Sequence, residues 1–288
     1  MQRVIVVAFS LLLLVACNGD PPPPASRATS TQETPQDGVV RLLGTGAMMP
    51  LAHELVAGWR GQHREPEFVI EPSVGSGGGA RAAADGAVDL GMISRALTPD
   101  EQALGLRVLP IARDGVVLAA HRSVDVEGLG SDELVELFSG RVDHFADGTH
   151  AVPLLRDARE SANQALERLV PALRQVREDA YRDHRLRVLY HDDAMGEALA
   201  TTPGGIGVFD WGAVVTWRLP LRVLAIDGHR PSIASISDGS WKATRELAFV
   251  IRPDRLQRVA AFVAFVGSGE GQRITLASGY VPFEKLAP

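Results

Sequence analysis

The stretch VGSGGGARAAADGAVDLGMIS, residues 74–94, decides the fold. It reads as the end of a strand, a loop in which four glycines surround a serine, an alanine-rich helix and a second apolar strand. A similar pattern stands upstream, where apolar residues 39–43 lead into the glycine turn GTGAMMP and an amphipathic helix. Strands that alternate with helices through short glycine turns predict an α/β fold with largely parallel strands. In such sheets ligands lie at the carboxyl ends of the strands.

Two stretches further along the chain carry local predictions. The stretch RVLPIARDGVVLAAH, residues 107–121, predicts two more strands. Pro171 falls inside the helical pattern SANQALERLVPALRQV, residues 161–176, so a kink or break of the helix is expected there.

The glycine loop could serve a nucleotide, a free anion or only a tight turn. The spacing Gly75-x-Gly77-x-x-Ala80 matches the dinucleotide fingerprint, but that fingerprint needs an acidic residue after the next strand, where Ser94 and Arg95 stand. No Gly-Lys-Ser/Thr follows, which argues against a P-loop. A turn alone would need fewer glycines. Because the free amides of a helix start bind small anions, the sequence favours a cup for a free anion.

The composition is that of a globular protein. The chain has 288 residues, of which 45% are hydrophobic and 22% are charged. This length suits one large domain or two lobes. The formal net charge of -6 argues against a nucleic-acid partner, because a broad basic face is needed to hold one.

The sequence indicates neither a metal site nor a catalytic centre. Its eight histidines lack the spacing that is typical of zinc sites. The acidic pair Asp192 and Asp193 is interpreted as a helix cap rather than as a metal cluster. No G-x-S-x-G elbow of a serine hydrolase occurs. We therefore predict a binding protein without cofactor, metal or enzymatic activity.

The N-terminus predicts export. Arg3 precedes an apolar run over residues 4–16, which has the length of a signal-peptide core and is shorter than the roughly 20 residues of a membrane span. The run ends in LVAC at residues 14–17, which resembles the bacterial lipobox, and Cys17 is the only cysteine. The resemblance implies lipidation of Cys17 after removal of residues 1–16. A plain signal peptide with an incidental cysteine is the alternative.

Residues 17–38 are typical of a disordered tether, because they are rich in Pro, Ser, Thr and Gln and carry almost no apolar side chains. Together with the lipobox, the tether predicts a protein on the periplasmic side of the cell envelope, attached to a membrane through its lipid.

Seven stretches of the body follow one another in a recognisable order: GTGAMMPLAHELVAGW, PSVGSGGGARAAADGAVDLGMISRALTPDE, PIARDGVVLAAH, SDELVELFSGRVDHFADG, TPGGIGVFDW, SWKATRELAFVI and AAFVAFVGSGEGQRITLASGYVPF. They resemble the PstS-type phosphate-binding proteins of ABC importers. The resemblance implies the type II periplasmic-binding-protein fold, two α/β lobes joined by two crossover strands and closing on an oxyanion. Mapped onto this chain, it places residues 39–114 and 247–288 in lobe 1 and residues 115–246 in lobe 2.

In the first lobe the resemblance implies ligand contacts from three turns. The first turn holds Ala47, Met48 and Met49, where Met48 replaces a threonine of the family and the backbone amides of both methionines remain available. The second holds Ser76, Gly77 and Gly78. The third is Ser94-Arg95 where the family has Ser-Asp, so that a cation replaces a hydrogen-bond acceptor.

In the second lobe the resemblance implies that Arg156 clamps the anion opposite Ser76, with Ser161 supplying a hydroxyl at a helix start. Glu160 stands beside them. A carboxylate about 4 Å from a bound dianion would cost several kcal/mol at an effective dielectric constant near 20. Glu160 is therefore expected to point away, to pair with Arg95 or Arg159, or to indicate a ligand other than phosphate.

The function implied is capture of a small oxyanion, phosphate before others, by a monomer that delivers it to the permease of an ABC importer. Two alternatives stay open. One is a sensor or interaction module with altered or lost anion binding, which the replacements at Met48 and Arg95 favour. The other is an enzyme of phosphate esters, for which the sequence offers no identifiable nucleophile and base.

Overall fold

The structure is a computed structural model, and it describes residues 38–283. The predicted signal peptide, Cys17 and nearly all of the predicted tether lie outside the described residues. Within residues 38–283, every helix is too short or too polar to cross a membrane.

Helices and strands alternate along most of the described chain. The strands are β1 (Val39–Gly44), β2 (Glu67–Ile70), β3 (Leu90–Ile93), β4 (Arg107–His121), β5 (Gly128–Leu129), β6 (Val152–Arg156), β7 (Arg187–Leu189), β8 (Gly205–Asp210), β9 (Leu221–Ile226), β10 (Thr244–Ile251) and β11 (Val281–Pro282). The helices are α1 (Met49–Arg60), α2 (Gly75–Ala84), α3 (Pro99–Gln102), α4 (Ser131–Ser139), α5 (Ser161–Glu167), α6 (Leu173–Arg182), α7 (Asp192–Thr201), α8 (Trp211–Thr216), α9 (Ile233–Ser237), α10 (Leu256–Val266) and α11 (Gly269–Ala277). Two 3-10 turns, Gly46–Met48 and Pro253–Arg255, precede α1 and α10.

The strands form a continuous curled sheet in the order β2-β1-β3-β10-β4-β8-β6-β7. β1 is parallel to β2 and β3, and β6 is parallel to β7 and β8. Between these two parallel groups, β10 and β4 run antiparallel to each other and to their outer neighbours β3 and β8. At the margins, β9 pairs with β4 and β5, and β11 pairs with β4.

Each parallel group carries a hydrophobic core of its own, and the fold is the predicted two-lobed α/β class. The first lobe is built on β1–β3, and its core includes Leu42, Met48, Leu51, Leu90, Phe249 and Phe262. The second lobe is built on β6–β8, and its core includes Val116, Leu134, Phe138, Leu166, Ile206 and Trp241. The long strands β4 and β10 lie between the lobes.

The region RVLPIARDGVVLAAH was expected to carry two strands, and this prediction is wrong. It forms the single strand β4 of 15 residues. The strand changes partner at Gly115: up to that residue it pairs with β10, and from Val116 onward it pairs with β8. No turn interrupts it, because the glycine serves close packing instead. A Cβ atom at Gly115 would lie 2.5 Å from the Ile236 side chain.

The predicted break at Pro171 is confirmed, since α5 ends at Glu167 and α6 begins at Leu173. The break keeps α5 short, and the first residue of this helix, Ser161, lies at the cleft between the lobes.

Candidate anion-binding site

A cavity of about 600 Å³ lies between the two lobes. We call it the serine cavity, because serine side chains from both lobes line its wall. Thr45, Ser73, Ser76 and Ser94 come from the first lobe, where they follow β1, β2 and β3, and Ser161 comes from the second lobe. The wall is completed by Val74, Gly75, Gly77, Gly78, Arg95, Asp157, Arg159, Glu160, Tyr190 and His191.

Ser94 is the centre of the hydroxyl cluster. Its Oγ lies 3.1 Å from Thr45 Oγ1, 3.4 Å from Ser76 Oγ and 3.1 Å from Ser161 Oγ, and its backbone N–H donates to Ser76 Oγ at 3.1 Å. The contact with Ser161 crosses from one lobe to the other. Because each hydroxyl rotates freely and both donates and accepts, the cluster can reorient toward a polar ligand.

The glycine loop presents backbone amides to the same cavity. Helix α2 begins at Gly75, which adopts a left-handed φ of 75°, and the residue before it offers no side-chain cap. The first amides of a helix lack partners within the helix, and residues 75–78 all line the cavity. Gly79 serves packing instead: a Cβ atom there would lie 2.7 Å from Gly44 Cα.

Arg95 lies at the cavity with its charge already neutralised. Its guanidinium forms a two-pronged ion pair with Glu101 at 2.6 and 2.8 Å, and the hydrogen-bonded arginine lowers the pKa of Glu101 to about 2. The pair borders the glycine loop, since Arg95 Nη2 would lie 3.5 Å from a Cβ atom at Gly77. Arg95 therefore adds hydrogen-bond donors to the wall but little net charge.

The structure separates Ala47, Met48 and Met49 from the serine cavity. Ala47 and Met48 are buried in the core of the first lobe, and Met49 packs against that core. The backbone N–H of Met48 donates to Thr45 O at 3.3 Å, and that of Met49 donates to Gly46 O within the 3-10 turn. The expectation of free amides here is therefore wrong. Thr45 supplies the hydroxyl of this turn instead.

Arg156 does not clamp the cavity as expected. Its side chain is 1% exposed and is absent from the cavity wall. Nη1 donates to Asp192 Oδ1 at 3.0 Å, and Nη2 lies 3.6 Å from Glu160 Oε2. Asp192 consequently serves as a buried ion-pair partner and not as the predicted cap of α7. It also abuts the first lobe, because a Cβ atom at Gly46 would meet its Oδ2 at 2.0 Å.

Glu160 and Ser161 do face Ser76 and Ser94 around the cavity. Glu160 pairs with Arg156, whereas the two expected partners are engaged elsewhere: Arg95 with Glu101 and Arg159 with Asp157. Burial raises the pKa of Glu160, and the neighbouring Asp192 raises it further while Arg156 opposes the shift.

Sequence reasoning missed Arg245, whose guanidinium contacts the hydroxyl cluster. Its Nη1 lies 3.2 Å from Ser161 Oγ, and its Nη2 lies 3.5 Å from Asp114 Oδ2 and ion-pairs with Asp210. The side chain is 3% exposed. A usable signal existed, because Arg245 stands just before the apolar run 247–251 of β10 and Asp114 just before the apolar run 116–120 of β4.

Carboxylates outnumber cations beneath the cavity. Two arginines and four acidic residues interact there: Arg156, Arg245, Asp114, Asp192, Asp210 and Glu160. Burial raises the pKa of Asp114 to about 6 and raises the pKa of Asp210 well above its usual range. Burial also opposes ionisation of Asp192, but the ion pair with Arg156 prevails and lowers its pKa. Burial thus disfavours the ionised forms of Asp114 and Asp210, and Arg245 opposes this effect.

Comparisons with known proteins agree with this architecture. The Bacillus subtilis phosphate-binding protein PstS is 22% identical over 264 residues, which cover 87% of this chain and 82% of that protein. The Streptococcus agalactiae phosphate-binding protein PstS 2 is 25% identical over 120 residues, so the match spans 42% of this chain and only 41% of the relative's length.

A solved structure from Clostridium perfringens shares the fold. It is a candidate phosphate ABC transporter substrate-binding protein with bound phosphate, and it aligns with a TM-score of 0.68 at 19% identity, covering 85% of this chain and 99% of that chain. The family model of the PBP superfamily domain matches residues 29–270, which is most of the sequence. This match shows that the chain belongs to the PBP superfamily, and the two lobes with two long strands between them agree with it.

Proposed function

We propose that this protein captures a small oxyanion, phosphate before others, in the cleft between its lobes and delivers it to an ABC importer. The observation that supports this best is the serine cavity itself. Four hydroxyls and the glycine loop of the first lobe meet the Ser161 hydroxyl of the second lobe around one space. A tetrahedral oxyanion offers acceptor oxygens on every side, so converging donors suit it.

Neutral donors explain how a protein with a net charge of -6 could hold an anion. Hydroxyl groups and main-chain amides bind an oxyanion through local dipoles, which dominate at contact distance. The carboxylates beneath the cavity oppose a multiply charged ligand, and the raised pKa values of Asp114, Glu160 and Asp210 reduce that opposition.

A ligand in the serine cavity would touch both lobes at once. Contact with Ser76 and Ser94 on one side and with Ser161 on the other stabilises an arrangement in which the lobes are close. Ligand would therefore shift an open–closed equilibrium toward the closed form, since it interacts better with that form. We propose that the permease of the importer binds this form, as the shared fold and the names of the relatives suggest.

The proposal includes export and lipidation at Cys17, with residues 17–38 as the tether to the membrane. It includes no covalent chemistry on the ligand.

One observation favours a second candidate function, a sensor or interaction module that no longer captures phosphate. Four acidic groups face two arginines beneath the cavity, and Glu160 lies in its wall. If these carboxylates stayed ionised, they would repel a phosphate dianion. Failure of every oxyanion to bind the folded chain would favour this candidate.

The test is calorimetric titration of the purified full chain with phosphate, sulfate and molybdate, supported by thermal unfolding. Phosphate at about a hundred times its Kd should add roughly 2.7 kcal/mol to the free energy of unfolding. Ser94→Ala should weaken binding by about tenfold, because one hydroxyl contact is worth about 1 kcal/mol or somewhat more. Ser131→Ala, which alters a serine bonded to Asp227 and outside the cavity, is the matched control.

Unchanged affinity in Ser94→Ala, or no binding of any of the three anions to folded protein, would contradict the proposal.

A further inference from the structure

A second cavity of about 590 Å³ adjoins the first. We call it the basic cavity, because the charged side chains in its wall are Arg95, Arg113, Arg168, Lys242, Arg245 and Glu246. It lies beside the crossover strands, since Arg113 is in β4 and Thr244, Arg245 and Glu246 are in β10. Five cations against one carboxylate contrast with the acidic cluster beneath the serine cavity.

The cations in this wall differ in how far their charge is compensated. Arg95 pairs with Glu101, Arg113 lies 4.0 Å from Glu246, and Arg245 pairs with Asp114 and Asp210. Arg168 donates to the main-chain carbonyls of Lys242 and Thr244, neither of which carries a charge.

For Arg168 and Lys242, no ion pair with a carboxylate is found among residues 38–283. Both side chains are exposed to solvent at the cavity. Asp238 attracts Lys242 without forming an ion pair, and the two groups lower each other's charge only in part. The positive charge available to a ligand is therefore that of Arg168 and part of that of Lys242.

The two cavities share one dividing wall. Ser94, Arg95 and Ser161 line both of them. The hydrogen bond between the Ser94 and Ser161 hydroxyls, at 3.1 Å, closes the wall. A ligand that takes over this hydrogen bond would reach from the hydroxyls of one cavity to the cations of the other.

The size of the two spaces also points to a ligand larger than a single phosphate ion. Cavities of roughly 300–1,000 Å³ hold drug-sized ligands in other proteins, and each of the two spaces here falls in that range on its own, at about 600 and 590 Å³.

We propose that the ligand carries two anionic groups, a phosphoryl group in the serine cavity and a second oxyanion between Arg168 and Lys242. This inference rests on the proposed function, because it assumes that the serine cavity takes a phosphoryl group. Two sources share the chemistry: condensed phosphates, with pyrophosphate as the smallest, and organic phosphates or phosphonates that also bear a carboxylate. The planar fork of Arg168 and the mobile ammonium of Lys242 suit either second group.

The test compares the affinities of phosphate, pyrophosphate and phosphonoacetate for the full chain by calorimetric titration. We expect at least one of the two larger ligands to bind about tenfold or more tightly than phosphate. A preference for pyrophosphate identifies the ligand class as condensed phosphates, and a preference for phosphonoacetate identifies it as phosphates or phosphonates that bear a carboxylate. Lys242→Gln and Arg168→Gln should each remove most of that preference while they change phosphate affinity less than twofold.

Arg122→Gln is the matched control, because Arg122 is exposed and lines neither cavity. Lys242→Gln is the safer variant for folding, since Lys242 is exposed and its side chain is not among the buried groups. Circular dichroism verifies that each variant is folded. If phosphate binds and neither larger ligand binds more tightly, this inference is overturned while the proposed function stands. The same holds if the variants weaken the binding of all three ligands equally. If none of the three binds, the proposed function falls with it.

Discussion

Replacing Arg245 with glutamine removes the cation that lies between two deeply buried carboxyl groups. Arg245 is 3% exposed, and its partners Asp114 and Asp210 are 0% and 1% exposed. Removing one member of a buried ion pair costs about 3–5 kcal/mol, because the remaining charge stays desolvated and uncompensated. For a domain of this size each kcal/mol lowers Tm by roughly 2–4 °C, so we expect a drop of about 6–20 °C.

The size of this loss should depend on pH in a defined direction. Burial raises the pKa of Asp114 to about 6, and Arg245 opposes that rise. A carboxyl whose pKa is raised on folding stabilises the fold at low pH, and the stabilisation is lost as pH rises from about 4 through the folded-state pKa. Without Arg245 the folded-state pKa of Asp114 and Asp210 rises further. Arg245→Gln should therefore be less destabilising at pH 5 than at pH 8.

Urea denaturation followed by circular dichroism at pH 5 and pH 8 measures both the loss of stability and its dependence on pH. Adding Asp210→Asn to Arg245→Gln removes one of the stranded charges, and the double variant should recover about 1 kcal/mol or more relative to the single one. Arg122→Gln, an exposed arginine, should shift stability by less than about 0.5 kcal/mol. A loss below about 1 kcal/mol for Arg245→Gln at pH 8, or a larger loss at pH 5, would refute the reasoning.

Two further predictions concern the cavity wall and the contact between lobes. Glu160→Gln should tighten phosphate binding by about tenfold or more at pH 8, because a carboxylate about 6 Å from an anion costs on the order of 2–3 kcal/mol at an effective dielectric constant near 20. Because burial raises the pKa of Glu160, the gain in phosphate affinity should shrink at pH 5. Titration calorimetry measures this gain, with the exposed Glu178→Gln as control. Equal phosphate affinities of the Glu160→Gln variant and the unaltered protein at pH 8 would exclude repulsion by Glu160. Gly46→Ala should destabilise the fold by about 1–3 kcal/mol and weaken phosphate binding, because the new Cβ would meet Asp192 Oδ2 at 2.0 Å. Gly269→Ala, with nothing within 4 Å of its Cβ position, is the matched control, and equal urea midpoints for the two alanine variants would contradict this account.

The sequence predicts the fold well where the signal is local. The apolar runs, the glycine turns and Pro171 each act within a few residues, and they correctly indicate strands, helix starts and the break between α5 and α6. The prediction of two strands in place of β4 was wrong, although it too rests on a local signal. Asp-Gly is a common turn signal, but here Gly115 provides room for Ile236 and the strand continues past it.

The candidate site is harder to predict because its contacts join distant parts of the chain. Ser76, Ser94 and Ser161 could be named from their turns, since each follows or begins a regular element. The pairing of Arg245 with Asp114 joins residues 131 positions apart, and no spacing rule reveals it. The sequence also does not show which side chains of a turn point into the cavity and which point into the core. Thr45 points to the cavity while Met48, three residues later, points into the core.

Arg156 shows why charge alone misleads. An arginine that follows an apolar strand looks like an anion clamp, but the acidic residues that neutralise it lie four and 36 positions further along the chain. Only the three-dimensional structure shows that Asp192 and Glu160 engage its guanidinium.

The central claim is that an oxyanion binds between the lobes on hydroxyls contributed by both. Crystals of the protein grown with arsenate, a tetrahedral analogue of phosphate, locate the anion directly through the anomalous scattering of arsenic. The account predicts an arsenic peak in the serine cavity, with oxygens within hydrogen-bonding distance of Ser76, Ser94 and Ser161. An arsenic peak confined to one lobe's outer surface, or well-ordered crystals with no arsenic peak in the cleft, would contradict it.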